Sequence, residues 1–243
     1  MALRRPVRVC GLRGLPLPAD RRHDLRDRLH PVRRHLLPPA HVRVQAGGSG
    51  KHFDNRLVLA SGSPRRAELL RAAGVEFRVV PSAAEEPRYV SGLPADYARS
   101  VALLKARDVA ARLESGVVVG ADTIVVLDAA VFGKPGSLEE ARSMLERLSG
   151  RTHTVLTAVA ALDAASGVSL VAHDTARMTL RPLSAADLHW YLGTGEAMDK
   201  AGAYALQGEA VRFVTAVEGD RETVIGLPTR LVQRLLEGLG TSL

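Results

Sequence analysis

One cysteine, Cys10, occurs among 243 residues, and no apolar run approaches the roughly 18 to 20 uncharged residues that a membrane span requires. The first scarcity excludes an internal disulfide and a zinc site built from several cysteines, and it suits a reducing compartment. The second excludes a helical span, and Arg4, Arg5, Arg8 and Arg13 break up what little apolar sequence opens the chain. What remains, 46% hydrophobic and 24% charged, has the proportions of a soluble globular protein. The expectation is a cytoplasmic protein with no membrane partner.

A net charge of +7 invites a nucleic-acid partner until the charge is located. Residues 1–56 hold 13 Lys plus Arg against 4 Asp plus Glu, a balance of +9, which leaves −2 for residues 57–243. The basic character belongs to a leader and argues against nucleic acid as a partner of the body. That leader carries 6 of the 13 prolines and 5 of the 8 histidines, shows no sustained period of 2 or 3.6, and ends in the linker-like Ala46-Gly47-Gly48-Ser49-Gly50. It is expected to be disordered. The alternatives are a basic arm for nucleic acid or a membrane surface and translated upstream sequence from a misplaced start; Asp20, Asp24 and Asp27 speak against a transit peptide.

From Leu57 the texture changes to alternating strand-like and helix-like runs, a domain spanning 57–243. Leu57–Ala60 reads as a buried strand, Pro64–Ala73 as a helix stopped by Gly74, Phe77–Val80 as a strand and Pro94–Leu113 as a long helix. Val117–Leu127 reads as an apolar strand interrupted at Gly120-Ala121-Asp122-Thr123. Ser137–Leu148 has capping-box spacing, with Glu140 three residues after Ser137. Thr154–Leu162 and Val168–Leu180 form a hairpin around the turn at Asp163–Gly167, and Ser184–Leu192 and Pro228–Leu239 close the chain as helices. The order predicts a mixed α/β fold.

Chemistry concentrates at a few places. In Ser61-Gly62-Ser63-Pro64-Arg65-Arg66 a strand gives way to a helix, with Ser63 suited to the N-cap and Pro64 to the first helical position, so first-turn N–H groups and two guanidinium groups face the same loop. This is an anion site or a plain helix start with two solvated arginines; it lacks P-loop spacing. Asp122 is embedded among valines and isoleucine, where an unpaired carboxylate is expensive, so it either binds a cation or a proton at a strand end or caps a bulge beside Gly120. Glu85, Glu86, Lys105 and Lys134 complete an inventory suited to a divalent metal and a polyphosphate, although composition alone goes no further. Gln207, between Leu206 and Gly208, offers a donor and an acceptor to a planar ligand or is a solvated loop residue.

Six ordered segments decide between these readings. Leu59-Ala60-Ser61-Gly62-Ser63-Pro64-Arg65-Arg66, Gly120-Ala121-Asp122-Thr123, Gly133-Lys134-Pro135, Ser149-Gly150-Arg151-Thr152-His153, the run Asp199 to Gly208, and Gly226-Leu227-Pro228 together resemble the Maf family of nucleoside triphosphate pyrophosphatases. The resemblance runs from Leu57 to about Leu236. It implies a central twisted mixed sheet flanked by helices, two lobes and a cleft, of the inosine-triphosphatase type. It also implies cleavage of a nucleoside triphosphate to monophosphate and pyrophosphate with Mg²⁺ or Mn²⁺, and often a homodimer. By motif, Asp122 corresponds to the general base and shares the metal with Glu86. Ser61, Arg66, Lys105 and Lys134 correspond to substrate-site residues. Arg65, Thr123 and Gln207 are similar to the positions of the branch acting on dTTP and UTP, which implies pyrimidine triphosphates, modified ones included, and removal of non-standard nucleotides from the pool.

Departures from the family pattern are Arg221 and Thr223, where a Tyr and an Asn are usual, and Ala158 and Ala205, which replace glycines. The alternative of another class is a non-catalytic nucleotide-binding regulator of septum formation.

Overall fold

A computed structural model describes residues 57–241; the expectations for the leader, Cys10 included, lie outside the described residues. Seven strands form a single mixed sheet in the order β2-β1-β3-β5-β6-β7, with β4 paired to β3 beyond this path. The strands are β1 (Leu57–Leu59), β2 (Arg78–Val79), β3 (Val117–Leu127), β4 (Ala130–Phe132), β5 (Thr152–Asp163), β6 (Ser169–Leu180) and β7 (Val214–Glu218). β1 is parallel to both β2 and β3, and every other pairing is antiparallel. The helices are α1 (Pro64–Ala72), α2 (Pro94–Ala110), α3 (Leu138–Leu148), α4 (Ala185–Gly193), α5 (Arg221–Ile225) and α6 (Thr229–Gly238), with 3₁₀ turns at Glu196–Asp199, Ala201–Ala203 and Glu209–Phe213. The mixed α/β expectation holds.

Side-chain alternation along β3 assigns its two faces. Val117, Val119 and Ala121 pack with Ala67 and Leu70 of α1 and with Leu231, Val232 and Leu235 of α6. Val118 and Ile124 pack with Ala98, Ala102, Ala106 and Val109 of α2. A third cluster gathers Val125 and Val155 with α3, α4 and the 3₁₀ turns. The core is thus divided along the sheet, and the cleft opens between its parts.

Two features of this packing prepare the site. First, β1 is three residues long and β3 eleven, with Leu59 opposite Val119 at the end of their ladder. Beyond that pair β3 continues without β1 beside it, and Asp122, Thr123, Ile124 and Val125 border an open space at the carboxyl end of β1. Second, a Cβ at Gly120 would fall 2.2 Å from the Ala102 carbonyl oxygen, so only glycine admits α2 this close to the sheet. The α2 face is correspondingly built of alanines, and Lys105 takes a place in its buried stripe of Ala98, Val101, Ala102, Ala106 and Val109.

Local differences from the sequence reading have physical causes. β3 is uninterrupted through Gly120-Ala121-Asp122-Thr123, because its ladder with β5 runs without a break from Val117 opposite Asp163 to Val126 opposite Thr154. Asp122 therefore sits within a strand rather than at a strand end or bulge. α2 stops at Ala110, not Leu113. At α3 the box is displaced by one residue: Ser137 accepts the Glu140 N–H, but Glu140 accepts from Gly136 rather than from Ser137. The reciprocal box occurs instead at α4, between Ser184 and Asp187. β4, β7, α5 and the 3₁₀ turns are too short to leave a period in the sequence.

Candidate active site

The open space beside β3 is a cleft of about 440 Å³. Its walls come from the β1–α1 loop, α2, the middle of β3, the loop after β4, and the chain around Asp199–Ala205. Ser61, Arg65, Arg66, Glu86, Lys105, Asp122, Thr123 and Lys134 all line it, so eight of the nine residues that the family resemblance assigns converge there, while Glu85 lies outside the lining.

Asp122 is 6% exposed and Lys105 9% exposed, and they face each other because even-numbered β3 residues and the buried α2 stripe share one side of the sheet. The Lys105 ammonium lies 2.9 Å from Asp122 Oδ1 and 2.9 Å from Glu86 Oε1. One cation thus joins two carboxylates that are 36 residues apart in sequence, and it offsets the desolvation that would otherwise disfavour a buried charge. Each carboxylate keeps a second oxygen. Among the described residues no group of three or more His, Cys, Asp or Glu could hold a metal. Two hard oxygen donors beside a phosphate-sized space nevertheless fit Mg²⁺ or Mn²⁺, which commonly take one or two carboxylates and complete their shell with substrate and water. Tyr97 borders the same carboxylates; burial first, then the charges of Asp122 and Glu86, push its hydroxyl pKa up.

Arg65 and Arg66, adjacent on α1, behave differently. Ser63 occupies the N-cap and Pro64 the first helical position, and no side chain caps the first turn, which leaves its N–H groups facing the cleft. Arg65 stands at the mouth and donates to Asp199 Oδ2 at 3.3 Å. Arg66 turns inward. Its Nε donates to the Gly226 carbonyl at 2.8 Å, Nη1 to Ser61 Oγ at 3.2 Å and to the Ala121 carbonyl at 2.9 Å, and Nη2 to Thr123 Oγ1 at 3.2 Å. Burial lowers its pKa, and the charges of Asp122 and Glu86 only partly restore it. Both arginines line the cleft, but four of the five Arg66 N–H donors are engaged with the protein, which leaves it one for a ligand. Gly226, at φ 122°, provides the turn that brings its carbonyl to Arg66.

Thr123, on the opposite side of β3 from Asp122, belongs to a directed chain of hydroxyls. Thr157 Oγ1 donates to the Thr223 carbonyl at 2.7 Å, and a hydroxyl has a single proton to give. In the 2.9 Å contact between Thr123 and Thr157, Thr123 is therefore the donor. With its proton engaged there and Arg66 on one lone pair, Thr123 can offer the cleft only an acceptor. Thr223, one of the departures from the family pattern, is fully buried and donates to Asp174 Oδ2 at 2.7 Å, closing the network.

Lys134 is exposed on the loop after β4 and has no ion-pair partner among the described residues. Gln207 is the residue that the structure does not bring in. It is exposed and outside the lining, because the Glu196 carboxylate accepts the Glu209 N–H at 3.0 Å and pins the turn at Gly208, so that Tyr204 and Ala205 border the cleft instead. Tyr97, Thr157, Asp199 and Lys200 were not recognised individually in the sequence. Asp199 and Lys200 left a signal only as the two charges that open the run of small residues ending at Gly208.

The comparisons agree with this geometry. The family model described as Maf-like protein matches residues 56–239. A protein of Symbiobacterium thermophilum named dTTP/UTP pyrophosphatase is 45% identical over 185 residues, covering 76% of this chain and 94% of its own. Proteins of the same name from Moorella thermoacetica and Pelotomaculum thermopropionicum are 46% and 44% identical, each covering 76% of this chain and 96% of their own. A match of this extent, over the whole segment that builds the cleft, places the chain in the Maf family.

Proposed function

We propose that the chain is a nucleoside triphosphate pyrophosphatase that converts dTTP, UTP and modified pyrimidine triphosphates to the monophosphate and pyrophosphate, and so limits incorporation of non-standard nucleotides. The observation that carries this reading is the buried Asp122, held through Oδ1 by Lys105 with its other oxygen left to act, in a cleft rimmed by cations.

Hydrolysis of a phosphoanhydride requires an activated water and compensation of the triphosphate's charge. Asp122 is assigned the proton of the attacking water. Lys105 holds that carboxylate in place through Oδ1. Glu86 and Asp122 are assigned the divalent cation, Mg²⁺ or Mn²⁺, which when bound offsets phosphate charge and polarises a phosphoryl oxygen. Arg65, Lys134 and the open N–H groups of α1 receive phosphate oxygens, while Ser61 and Arg66 shape the wall. Thr123, as an acceptor, takes part in choosing the nucleotide together with Arg65, and Gln207 joins them only if the turn at Gly208 closes over the ligand. Homodimer formation and a cytoplasmic setting belong to the same reading; among the described residues no helix is long and apolar enough to cross a membrane. The names of the relatives favour an enzyme over a septum regulator.

A panel of triphosphates with Mg²⁺ or Mn²⁺, resolved by chromatography, tests this. Monophosphate and pyrophosphate from dTTP and UTP, abolished by EDTA and restored by metal, are expected. Turnover of 7-methyl-GTP equal to that of dTTP contradicts the substrate assignment, and no release from any triphosphate contradicts the enzyme.

A further inference from the structure

Lys200 is a buried cation on the wall of the cleft, separate from the pair Lys105–Asp122. It is 9% exposed. Its ammonium donates to the Glu196 carbonyl at 2.8 Å and to Asp199 Oδ1, which leaves one of its three donors. Burying an ammonium is expensive, and an apolar side chain would serve packing better on a wall of this kind. Asp199 completes the picture by extending its other oxygen to Arg65, 3.3 Å away on α1. One carboxylate therefore sits between two cations contributed by separate walls. Burial acts to raise the Asp199 pKa, but Lys200 and Arg65 outweigh it and hold the group below the usual carboxylate range. Its side chain is nevertheless 61% exposed, against 24% for Arg65 and 10% for Lys200, so the carboxylate is the member of the trio free to swing away.

We propose that Arg65 and Lys200 form a phosphate subsite that the Asp199 carboxylate occupies in the free protein, and that a phosphate group of the substrate or of the pyrophosphate product displaces it. This assignment rests on the nucleotide reading of the cleft and adds Lys200 to its binding residues. A carboxylate and a phosphate compete for the same two cations. Asp199 thus keeps the subsite assembled and its charges balanced when empty, and it opposes retention of product by re-entering as the phosphate leaves.

The test is calorimetric titration of the full chain with inorganic pyrophosphate in the presence of Mg²⁺. Asp199→Asn, which removes the competing charge and keeps an amide oxygen for Lys200, is expected to bind pyrophosphate about fivefold more tightly or better, by the relation between free energy and affinity. Lys200→Met is expected to bind about tenfold more weakly, with Lys200→Arg intermediate. Unchanged or weaker binding by Asp199→Asn overturns the proposal, as does wild-type affinity in a folded Lys200→Met; if that variant does not fold, Asp199→Asn decides alone. The two readings fail separately. A wild-type chain that hydrolyses no triphosphate while Asp199→Asn gains pyrophosphate affinity keeps the subsite and loses the enzyme, and an active chain without that gain does the reverse.

Discussion

Lys105 Nζ stands 2.9 Å from Asp122 Oδ1, and this buried pair is the joint between α2 and β3 at the point where β1 has ended. Removing one partner of a buried pair typically costs about 3–5 kcal/mol, because the other charge is left uncompensated. Lys105→Met is expected to lower stability on that scale and to reduce kcat by about a hundredfold or more, because Asp122 loses the cation that orients it and balances its charge. Urea unfolding and steady-state kinetics check both effects; a variant of wild-type stability and rate would show that the pair is idle.

The two neighbouring arginines give opposite responses. Arg65→Ala removes a partly exposed group at the mouth and is expected to raise KM about tenfold with little change in Tm. Arg66→Ala strips four hydrogen bonds from Ser61, Ala121, Thr123 and Gly226, and is expected to destabilise the fold by about 3 kcal/mol. Thermal melts beside KM measurements separate the two, and an exchange of these phenotypes would reverse the assignment.

Thr157→Val keeps the shape of the side chain and deletes its hydroxyl. Thr123 then regains freedom to point its proton into the cleft. The expected result is a loss of preference for UTP over GTP by about tenfold in kcat/KM, from roughly 1.4 kcal/mol of altered hydrogen bonding. Thr157→Ser should restore the wild-type ratio. An unaltered preference in the valine variant would remove the hydroxyl chain from any role in selectivity.

His153 gives the fold a pH dependence. It is 3% exposed, its Nε2 lies 2.5 Å from the Tyr204 hydroxyl, and burial pulls its pKa down to about 4 from the ordinary 6.5. Between these values the unfolded chain binds a proton that the folded chain does not. Stability therefore falls as pH drops from about 6.5 to about 4, by up to ~3 kcal/mol from this residue. His153→Phe is expected to flatten that part of the Tm profile, and a slope unchanged by the substitution would locate the proton elsewhere.

Most of this architecture was legible where the signal is local or periodic. The 11-residue apolar run of β3, the hairpin turn at Asp163–Gly167 and the Ser184 cap of α4 can all be read in one dimension. So could the membership of the cleft, through the motif resemblance. The pairings were not. That Lys105 falls in the buried α2 stripe is implicit in its spacing from Ala98, Ala102 and Val109, but its meeting with Asp122 depends on Gly120 letting the helix approach. Arg65 and Arg66 look alike in sequence, and only the helical turn sends one to the mouth and the other beneath Thr123. Gln207 reads as a ligand contact because of its neighbours, whereas its exposure follows from Glu196, 11 residues earlier. Short elements such as β4 and α5 have no period to detect, and tertiary contact alone supports them.

The most direct measurement compares Asp122→Asn with the wild type for UTP binding and for pyrophosphate release under saturating Mg²⁺. Asparagine preserves the shape and the hydrogen bond from Lys105 but is a far weaker proton acceptor. The account predicts nucleotide affinity within a few fold of wild type and turnover reduced by about a thousandfold or more. Turnover close to wild type, with nucleotide still bound, would contradict it.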